Sequence, residues 1–438
     1  MLAERDAEDD GLSRLLSFAS PYTGVVQSVV DFLHGEDDAR VLSLGCLVAG
    51  GGPVLGTPTV DHSGGSGRTR EHALAAALGE AVERYSATTP PRHRLVRATA
   101  AELGPGAIDP GRFALFHEAQ YAEPAFPFVR FEHSTPLYWV DGVDLLHGRS
   151  AYLPAQLAFL EPLPDDPPIT IPTSNGLACG ATPARATLAA LLEVVERDAF
   201  SIVWANRLSL PLLDWAEDPE ATELAARYFE PSGLRWAAVD LSVIAGVPAA
   251  LGVVRGPPRE LGALGVGAGC AASAIDAWWK ALVEAFSVRR WARDSALEDP
   301  DLPRDPGDVR TFDDHIRWYA RPGNAERTAF LTASNERRRL GDVPPVPGED
   351  ARQRLDAVVA TLASAGATPC VVDVTSADVA DARLFVARAV VPELCPLDVV
   401  HAARALGAAR LYDVPVERGL RERPLGLEEL NPDPHPFP

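Results

Sequence analysis

The sequence lacks the features of a membrane-spanning, secreted or nucleic-acid-binding chain. No apolar run approaches the roughly 18 residues needed to cross a bilayer. The start, MLAERDAEDDGLSRLL, has no basic segment followed by an apolar one, as a signal peptide would. Asp and Glu outnumber Lys and Arg by 61 to 40, whereas proteins that bind nucleic acid present a basic face. We therefore expect a soluble, cytoplasmic protein with no nucleic-acid or membrane partner.

The sequence also lacks a disulfide framework and a phosphate-binding loop. Its five cysteines are far apart, form no C-x-x-C pair and show no metal-ligand spacing, which favours reduced thiols. No G-x-x-x-x-G-K-[ST] motif and no kinase-type glycine loop occurs, so any nucleotide site must be of another kind. The cysteines are Cys46, Cys179, Cys270, Cys370 and Cys395.

Helical and strand-like segments alternate along the 438 residues, and 47% of them are hydrophobic. Long helices are predicted at about 70–87 and 183–206, and a third in ASAIDAWWKALVEAFSVRRWARD. LRWAAVDLS and VPAALGVVRG are typical of paired strands. This mixture predicts an α/β or α+β fold with both element types in one core. The proline-rich stretch 296–350 is interpreted as a linker or surface excursion.

Two of the predicted helices carry the same charged pattern, E-x-V-E-R, 113 residues apart. Glu80, Glu83 and Arg84 form the first, and Glu193, Glu196 and Arg197 form the second, in LAALLEVVERDAF. Positions i and i+3 lie on one helix face, so each helix presents two carboxylates together.

Two interpretations of these carboxylate pairs stay open at this point. The first is a solvated face with ordinary i,i+4 ion pairs, each worth a few tenths of a kcal/mol. The second follows from the Ala, Leu and Val residues around the pairs, which indicate burial. Buried like charges need cations, and Mg²⁺ commonly bridges carboxylates to nucleotide phosphates, which arginines also bind. The second interpretation is a Mg–nucleotide clamp.

Three motifs together resemble the YcaO family: GSGRTREHALAAALGEAVERYSA, TSNGLACGATPARATLAALLEVVERDAF and the terminal NPDPHPFP. VVDVTSADV, RAVVPELCPL and LGAARL also follow in the family's order, so the resemblance extends from about residue 20 to the end. It implies a mixed α/β fold, YcaO-type, with an ATP–Mg²⁺ site between its helical motifs. It also implies a YcaO domain, which we place at 20–425. The charged residues 1–19 are expected to be a loosely held acidic segment, and 426–438 form a proline-rich tail.

The family's functional residues carry over to matching positions in this sequence. Arg84 and Arg197 stand where arginines serve nucleotide phosphate, and Glu284 and Arg289 fit an E-x-x-x-x-R pattern that approaches the same site. The carboxylates that match the family's metal ligands are Glu80, Glu83, Glu193 and Glu196.

Five positions of the implied nucleotide site depart from the family's pattern. Ser66 stands for a usual Lys, Ala76 for Ser, Ala181 for Asn, Arg185 for Glu, and Ser287 for a frequent Gln. The loss of a lysine, hydrogen-bonding groups and a carboxylate predicts weaker nucleotide and Mg²⁺ binding. Arg185 could also occupy the space of a cation.

The tail NPDPHPFP has a proline at every second residue, so it cannot join a helix or a central strand. It is expected to be extended. Such a segment is commonly a disordered end or a docking ligand, whereas the resemblance implies that it threads into the active site. His435, Pro436 and Pro438 are then the candidate catalytic residues, His435 as an acid/base with an ordinary pKa near 6.5. Deleting the last three residues is expected to leave the melting temperature nearly unchanged.

The resemblance implies an ATP- and Mg²⁺-dependent cyclodehydratase that forms thiazolines or oxazolines from Cys, Ser or Thr of a ribosomal precursor peptide. A degenerate scaffold that binds peptide or an active partner is one alternative, and a thioamide- or amidine-forming enzyme is another. The roughly 20 residues before SPYTGVV are too few for a leader-binding domain, so a separate ubiquitin-activating-like partner is expected. A flavin dehydrogenase in the same pathway and a homodimer are left open.

Overall fold

The fold combines three β-sheets with long helices, which confirms the predicted mixed α/β class. A computed structural model describes residues 11–49, 62–88, 90–257, 260–321 and 323–437. The strands are β1 (Val26–Asp31), β2 (Leu42–Val48), β3 (His62–Gly67), β4 (Val96–Ala98), β5 (Leu137–Asp144), β6 (Arg149–Pro154), β7 (Leu177–Gly180), β8 (Leu212–Asp214), β9 (Arg235–Asp240), β10 (Ala249–Arg255), β11 (Leu264–Cys270), β12 (Arg337–Arg339), β13 (Cys370–Asp373) and β14 (Phe385–Val390).

The strands form a three-stranded, a five-stranded and a six-stranded sheet. The orders are β1-β2-β3, β11-β10-β9-β8-β12 and β4-β5-β13-β14-β7, with β6 beside β5. All of these pairings are antiparallel except β8 with β12. The predicted pairing of LRWAAVDLS with VPAALGVVRG is confirmed by β9 and β10, where Val239 faces Leu251.

Three helices are much longer than the rest, and they are the three that the sequence predicts. The helices are α1 (11–16), α2 (Arg70–Thr88), α3 (Ala100–Leu103), α4 (Glu118–Tyr121), α5 (Pro183–Asn206), α6 (Pro219–Leu224), α7 (Ser242–Ala245), α8 (Ala274–Glu298), α9 (Phe312–Ala320), α10 (Ala351–Ser364), α11 (Ala377–Asp381) and α12 (Arg410–Glu417). Thr182 caps α5 by accepting a hydrogen bond from the Arg185 amide, and Arg207 ends it in the left-handed region. The α5 helix is buried along most of its length.

Glycines in two strands allow α2 and α8 to lie directly on the sheets. A Cβ atom on Gly65 of β3 would lie 2.2 Å from the backbone nitrogen of Ala77 in α2. A Cβ atom on Gly265 of β11 would lie 2.1 Å from the carbonyl oxygen of Ala285 in α8. Only glycine permits this approach, which also brings the carboxylates of both helices within reach of strand backbone amides.

Two segments that the sequence analysis treats as loosely held or external are packed into the molecule. Residues 11–19, the described part of the predicted loose segment, include α1 and the buried Leu15 and Phe18. The stretch 296–350 contains α9, whose side chains are largely buried. The interpretation of 296–350 as a linker or surface excursion is therefore wrong, because α9 supports the C-terminal tail, as described below.

All five cysteines are unpaired, and four of them are buried. Burial raises the pKa of the Cys179 and Cys370 thiols to about 12, so neither is a reactive thiolate at neutral pH. Each helix in the described ranges is too short or too polar to cross a bilayer.

Candidate functional site

The first E-x-V-E-R helix, α2, presents its charged side chains beside the glycine-rich strand β3. Glu80 Oε2 accepts a hydrogen bond of 2.7 Å from the Gly64 amide, and its other oxygen pairs with Arg84 one turn along the helix. Arg84 also donates to the carbonyl of His62 at 3.3 Å, while its Nε is buried without a hydrogen-bond partner. The helix–strand contact therefore holds Glu80 in place and leaves a donor of Arg84 available.

The second such helix, α5, positions a more deeply buried set. Glu196 is buried, and its Oε2 accepts a 2.7 Å hydrogen bond from the Cys270 amide at the end of β11. Arg197 lies 2.9 Å from Glu196 and 3.5 Å from Glu193, measured between nitrogen and oxygen. Its guanidinium lies over the ring of Phe437, 4.3 Å from the ring centre. The helix thus joins the carboxylates to the C-terminal tail.

The third helix, α8, brings Glu284 to the same place but turns Arg289 away. Glu284 Oε2 accepts a 2.7 Å hydrogen bond from the Ala268 amide. Arg289 is 2% exposed and pairs with Asp37 at 2.5 Å instead of facing the carboxylates. Five residues of helix rotate a side chain by about 500°, which leaves it roughly 140° from its starting direction. The assignment of Arg289 to the cofactor site is therefore corrected to a structural role, and Arg290 faces the cavity next to Glu284.

The carboxylates of the three helices lie close enough to shift one another's pKa values, which argues against the solvated-face interpretation. Burial, followed by the negative charges of Glu193 and Glu80, holds the pKa of Glu83 well above its ordinary value. Burial also raises the pKa of Glu193, against the opposing effect of Arg197, and it raises the pKa of Glu284 to about 8. These side chains repel one another in partly desolvated surroundings, which is where a cation would bind most favourably.

Arg197 and Arg388 add positive charge to this cluster beside Arg84, and the sequence analysis assigns no role to Arg388. Burial alone would lower the pKa of Arg197, but the carboxylates of Glu196, Glu193 and Glu284 raise it. Arg388, in β14, donates to the carbonyl of Thr173 at 2.5 Å and has a buried Nε without a partner. Burial lowers its pKa to about 10, and Glu193 and Glu83 act in the opposite direction. RAVVPEL was recognised as a family segment, but nothing in its local pattern marks Arg388 as part of the site.

Two cavities meet at the carboxylate cluster. The first cavity has a volume of about 1040 Å³, and its lining includes Glu80, Arg84, Glu196, Glu284 and Arg290. The second cavity has a volume of about 740 Å³ and is lined by side chains of α5, α8 and α10. Glu196, Trp279 and Lys280 line both cavities.

The altered positions of the family pattern are divided between the cavities. Ser66, Ala76 and Ser287 line the first cavity, and Ser66 Oγ lies 2.8 Å from Ser43 Oγ. Arg185 lines the second cavity. Ala181 immediately precedes the cap of α5 and is in the lining of neither cavity, so its assignment to the cofactor site stays a prediction.

The tail is extended and buried, with its penultimate residue at the site. Phe437 is 0% exposed, and its ring centre lies 4.8 Å from that of Phe200. The tail is also held by α9, since Tyr319 donates to the carbonyl of Pro434 at 2.6 Å. Pro436 is buried, and Pro438 lies outside the described residues.

His435 lies in a buried histidine pair rather than in either large cavity. Its ring stacks on His315 with centres 3.7 Å apart. Nε2 lies 2.7 Å from the carbonyl of Asp398, and Nδ1 accepts a hydrogen bond from the Phe437 amide. Both ring nitrogens are therefore engaged by the backbone. The acid/base role of His435 stays a prediction, and this geometry does not support it.

The residues present fit a nucleotide with a divalent cation. Among the described residues, no three His, Cys, Asp or Glu side chains are grouped so that they could hold a metal ion by themselves. Mg²⁺, however, is usually held by one or two carboxylates together with phosphate oxygens and waters. The buried Nε atoms of Arg84 and Arg197, both without an acceptor, are suitable donors to such an oxygen. The carboxylates with raised pKa values are therefore suited to the divalent cation, and the guanidinium donors beside them are suited to the phosphate oxygens.

The comparison with family models matches residues 64–395 to a model described as YcaO cyclodehydratase, ATP- and Mg²⁺-binding. The cofactors predicted from the sequence, ATP and Mg²⁺, are those of this family description. A curated relative, an uncharacterized protein of the tfuA 3′ region from Rhizobium leguminosarum bv. trifolii, is 27% identical over 253 residues, with 53% of this chain and 59% of that protein covered. The chain thus spans less than two thirds of that relative's length.

Solved structures show the same fold. A heterocyclase in complex with substrate and cofactor is 27% identical with a TM-score of 0.80, and the match covers 98% of this chain and 57% of the other. The heterocyclase TruD is 28% identical with a TM-score of 0.66, covering 83% of this chain and 50% of the other. YcaO from Methanopyrus kandleri bound with AMPPCP and Mg²⁺ is 21% identical with a TM-score of 0.63, covering 89% of both chains. This last likeness concerns the fold alone.

Proposed function

Since the chain belongs to the YcaO family, we propose that it is an ATP- and Mg²⁺-dependent cyclodehydratase subunit. The reaction converts Cys, Ser or Thr of a ribosomal precursor peptide to thiazoline or (methyl)oxazoline. The observation that carries the proposal is the convergence of the three helices, where Glu83, Glu193 and Glu284 have raised pKa values beside Arg197. The likeness to two heterocyclases, each more than 25% identical, supports this branch of the family.

Each charged residue has a defined part in the proposed site. Bound ATP would supply the phosphoryl group that activates a backbone amide oxygen, and Mg²⁺ would balance phosphate charge. Arg84 and Arg197, each with a buried Nε that has no hydrogen-bond partner, would hold the phosphates. We assign Glu83 and Glu193 to the cation, which would relieve the repulsion that contributes to the raised pKa of Glu83. A hydrogen bond from the backbone of Gly176 helps to hold Glu193.

The tail contributes by positioning. Phe437 lies against Arg197 and so fixes the guanidinium between the carboxylates and the tail. We assign residues 426–438 to this tail and 20–425 to the catalytic domain. A separate leader-binding protein, resembling ubiquitin-activating enzymes, would deliver the precursor in the cytoplasm, and a flavin dehydrogenase would then oxidise the rings.

The direct test incubates the protein with a precursor peptide, its leader-binding partner, ATP and Mg²⁺. Mass spectrometry should show the loss of one water per ring, dependent on ATP. Glu83→Gln and Glu193→Gln should abolish ring formation and weaken Mg–ADP binding. Both variants should keep or raise the melting temperature, because a neutral amide relieves repulsion between buried carboxylates. Glu336→Gln, at an exposed position remote from both cavities, is the matched control and should behave as wild type.

A second candidate function is a non-catalytic scaffold, and one observation favours it. Glu80 and Glu196 are each already held by an arginine and a backbone amide, so the site is partly neutralised by its own residues. A scaffold would bind precursor peptide without measurable Mg–ADP binding and without loss of water. A product in which sulfur replaces an amide oxygen would instead indicate the thioamide-forming alternative, and one in which an amine condenses with a backbone amide carbonyl with loss of water would indicate the amidine-forming alternative.

A further inference from the structure

The second cavity has an unusual charge distribution for a chain with a formal net charge of -21. Three cations line it: Arg185 from α5, Lys280 from α8 and Arg354 from α10. Among the described residues, none of the three has a carboxylate within ion-pair distance, in contrast to most arginines of the chain. Arg354 donates through Nε to the carbonyl of Gly348 at 3.2 Å, which orients the side chain without neutralising it.

The anionic residues of the same cavity are already partnered. Asp276 lies 3.7 Å from Arg68 and accepts a 2.6 Å hydrogen bond from Ser273. Glu193 and Glu196 share Arg197, and in the proposed function Glu193 also holds the divalent cation, so neither carboxylate is left for a further ligand. The charges of this cavity that remain available to a ligand are therefore positive, and the ligand they fit carries negative charge.

The size and walls of the cavity favour an extended peptide over a small anion. Its volume of about 740 Å³ far exceeds that of a phosphate, and Leu188, Leu192 and Trp279 give it an apolar wall. The cations come from three separate helices, so they suit several carboxylates along a chain better than one compact anion. Because Glu196 lines both cavities, a peptide lying here would reach the proposed reaction centre.

We propose that the second cavity binds an acidic segment of the substrate peptide, with Arg185, Lys280 and Arg354 recognising Asp or Glu side chains near the residue that is cyclised. The inference rests on the proposed function and names a feature of its substrate. Exposed charge pairs act mainly through long-range attraction, so the preference for acidic peptides should weaken as salt is raised.

The test measures binding of two fluorescent peptides that share a neutral Cys-containing core. One has four Asp residues beside the core, and the other has four Asn residues in their place. Wild-type protein should bind the Asp peptide about tenfold more tightly, equivalent to about 1.4 kcal/mol. The Arg185→Glu/Arg354→Glu variant should lose this preference. Arg352→Glu, two residues away on α10 but exposed and paired with Asp356, should retain it.

Each other outcome has a defined meaning. Equal affinity of wild type for the two peptides overturns the proposal. Weaker Mg–ADP binding in the double variant, with the Asp preference intact, assigns the cations to nucleotide and also overturns it. If the double variant does not fold, Arg185→Gln/Arg354→Gln replaces it and should reduce the preference severalfold. The assay needs no turnover, so absence of ring formation in the mass-spectrometric test counts against the proposed function and leaves this result independent.

Discussion

The packing of the C-terminal tail leads to the sharpest prediction about this protein. Phe437 is completely buried, its ring packs against that of Phe200, and the guanidinium of Arg197 lies over it. The sequence analysis expected deletion of the last three residues to leave the melting temperature nearly unchanged. The structure contradicts that expectation, because the penultimate residue is part of the core.

Phe437→Ala should therefore destabilise the fold by about 3–5 kcal/mol, the usual cost of removing a buried aromatic ring. The cation–π contact with Arg197 accounts for about 0.5–2 kcal/mol of this. Phe437→Leu keeps most of the apolar burial and loses the ring face, so its cost should be about 1–2 kcal/mol. The difference between the two variants separates burial from the contact with Arg197.

The assay combines urea unfolding, followed by tryptophan fluorescence, with calorimetry of Mg–ADP binding. Both Phe437 variants should bind Mg–ADP more weakly, because Arg197 loses a contact that fixes it among the carboxylates. Phe159→Ala removes an equally buried ring from a different cluster with no contact to Arg197. It should unfold more easily than wild type but, where folded, bind Mg–ADP normally.

Two results would refute this reasoning. An unfolding midpoint of Phe437→Ala equal to that of wild type would show that the tail is not anchored by its ring. Equal weakening of Mg–ADP binding by Phe159→Ala would show that affinity follows general stability instead of the Arg197 contact.

Three further predictions concern the buried charges. Burial raises the pKa of Glu284 to about 8, so its contribution to stability is lost as pH rises through 8, and Mg–ADP binding should release protons and strengthen as pH rises towards that value. Calorimetry in buffers of different ionisation enthalpy checks this, and Glu284→Gln should reduce the proton release without abolishing it, because the pKa values of Glu83 and Glu193 are raised as well. Arg289→Ala should lower the free energy of unfolding and leave nucleotide affinity intact. Arg290→Ala should lower nucleotide affinity and leave the free energy of unfolding nearly unchanged. Identical effects of the two variants would contradict the different directions in which these side chains leave α8. Burial lowers the pKa of His315 to about 4 and that of His401 to about 3. The free energy of unfolding should therefore fall as pH falls from about 6.5 towards 4. This pH dependence should be shallower in His401→Gln, and an unchanged slope would exclude His401 as a cause.

Periodicity was enough to predict the framework of the site. The helices expected at 70–87 and 183–206 are observed at Arg70–Thr88 and Pro183–Asn206. These segments are long, apolar and strongly helix-forming, and tertiary contacts reinforce the same preference. The repeated E-x-V-E-R pattern predicts that the carboxylates meet, because a helix buried on most sides can place charged side chains only where they meet other charges. In the structure Glu83 and Glu193 affect one another's pKa values, while the four carboxylates are not all in the lining of one cavity.

The errors came from properties that a spacing pattern does not contain. Glu284 and Arg289 were grouped because they match a family pattern, although five residues of α-helix place them on different faces. The stretch 296–350 was judged by its proline content, yet a nine-residue helix within it buries Trp318 and Tyr319. Proline content indicates where helices and strands are disfavoured. It does not show which short helix within such a stretch packs into the core.

Arg388 shows why the charge balance of the site could not be predicted from sequence. It lies almost 200 residues beyond Glu193, on a strand whose local pattern is apolar, and reaches the cluster only because β14 pairs with β7. Its buried position costs desolvation energy, which the fold tolerates because carboxylates surround it. If bound cation and nucleotide stabilise those carboxylates, Arg388 becomes one of several positive charges competing for them. The number of metal cations that the carboxylates need then depends on Arg388 and Arg197 together. This number is set by the folded cluster, and neither helix motif alone determines it.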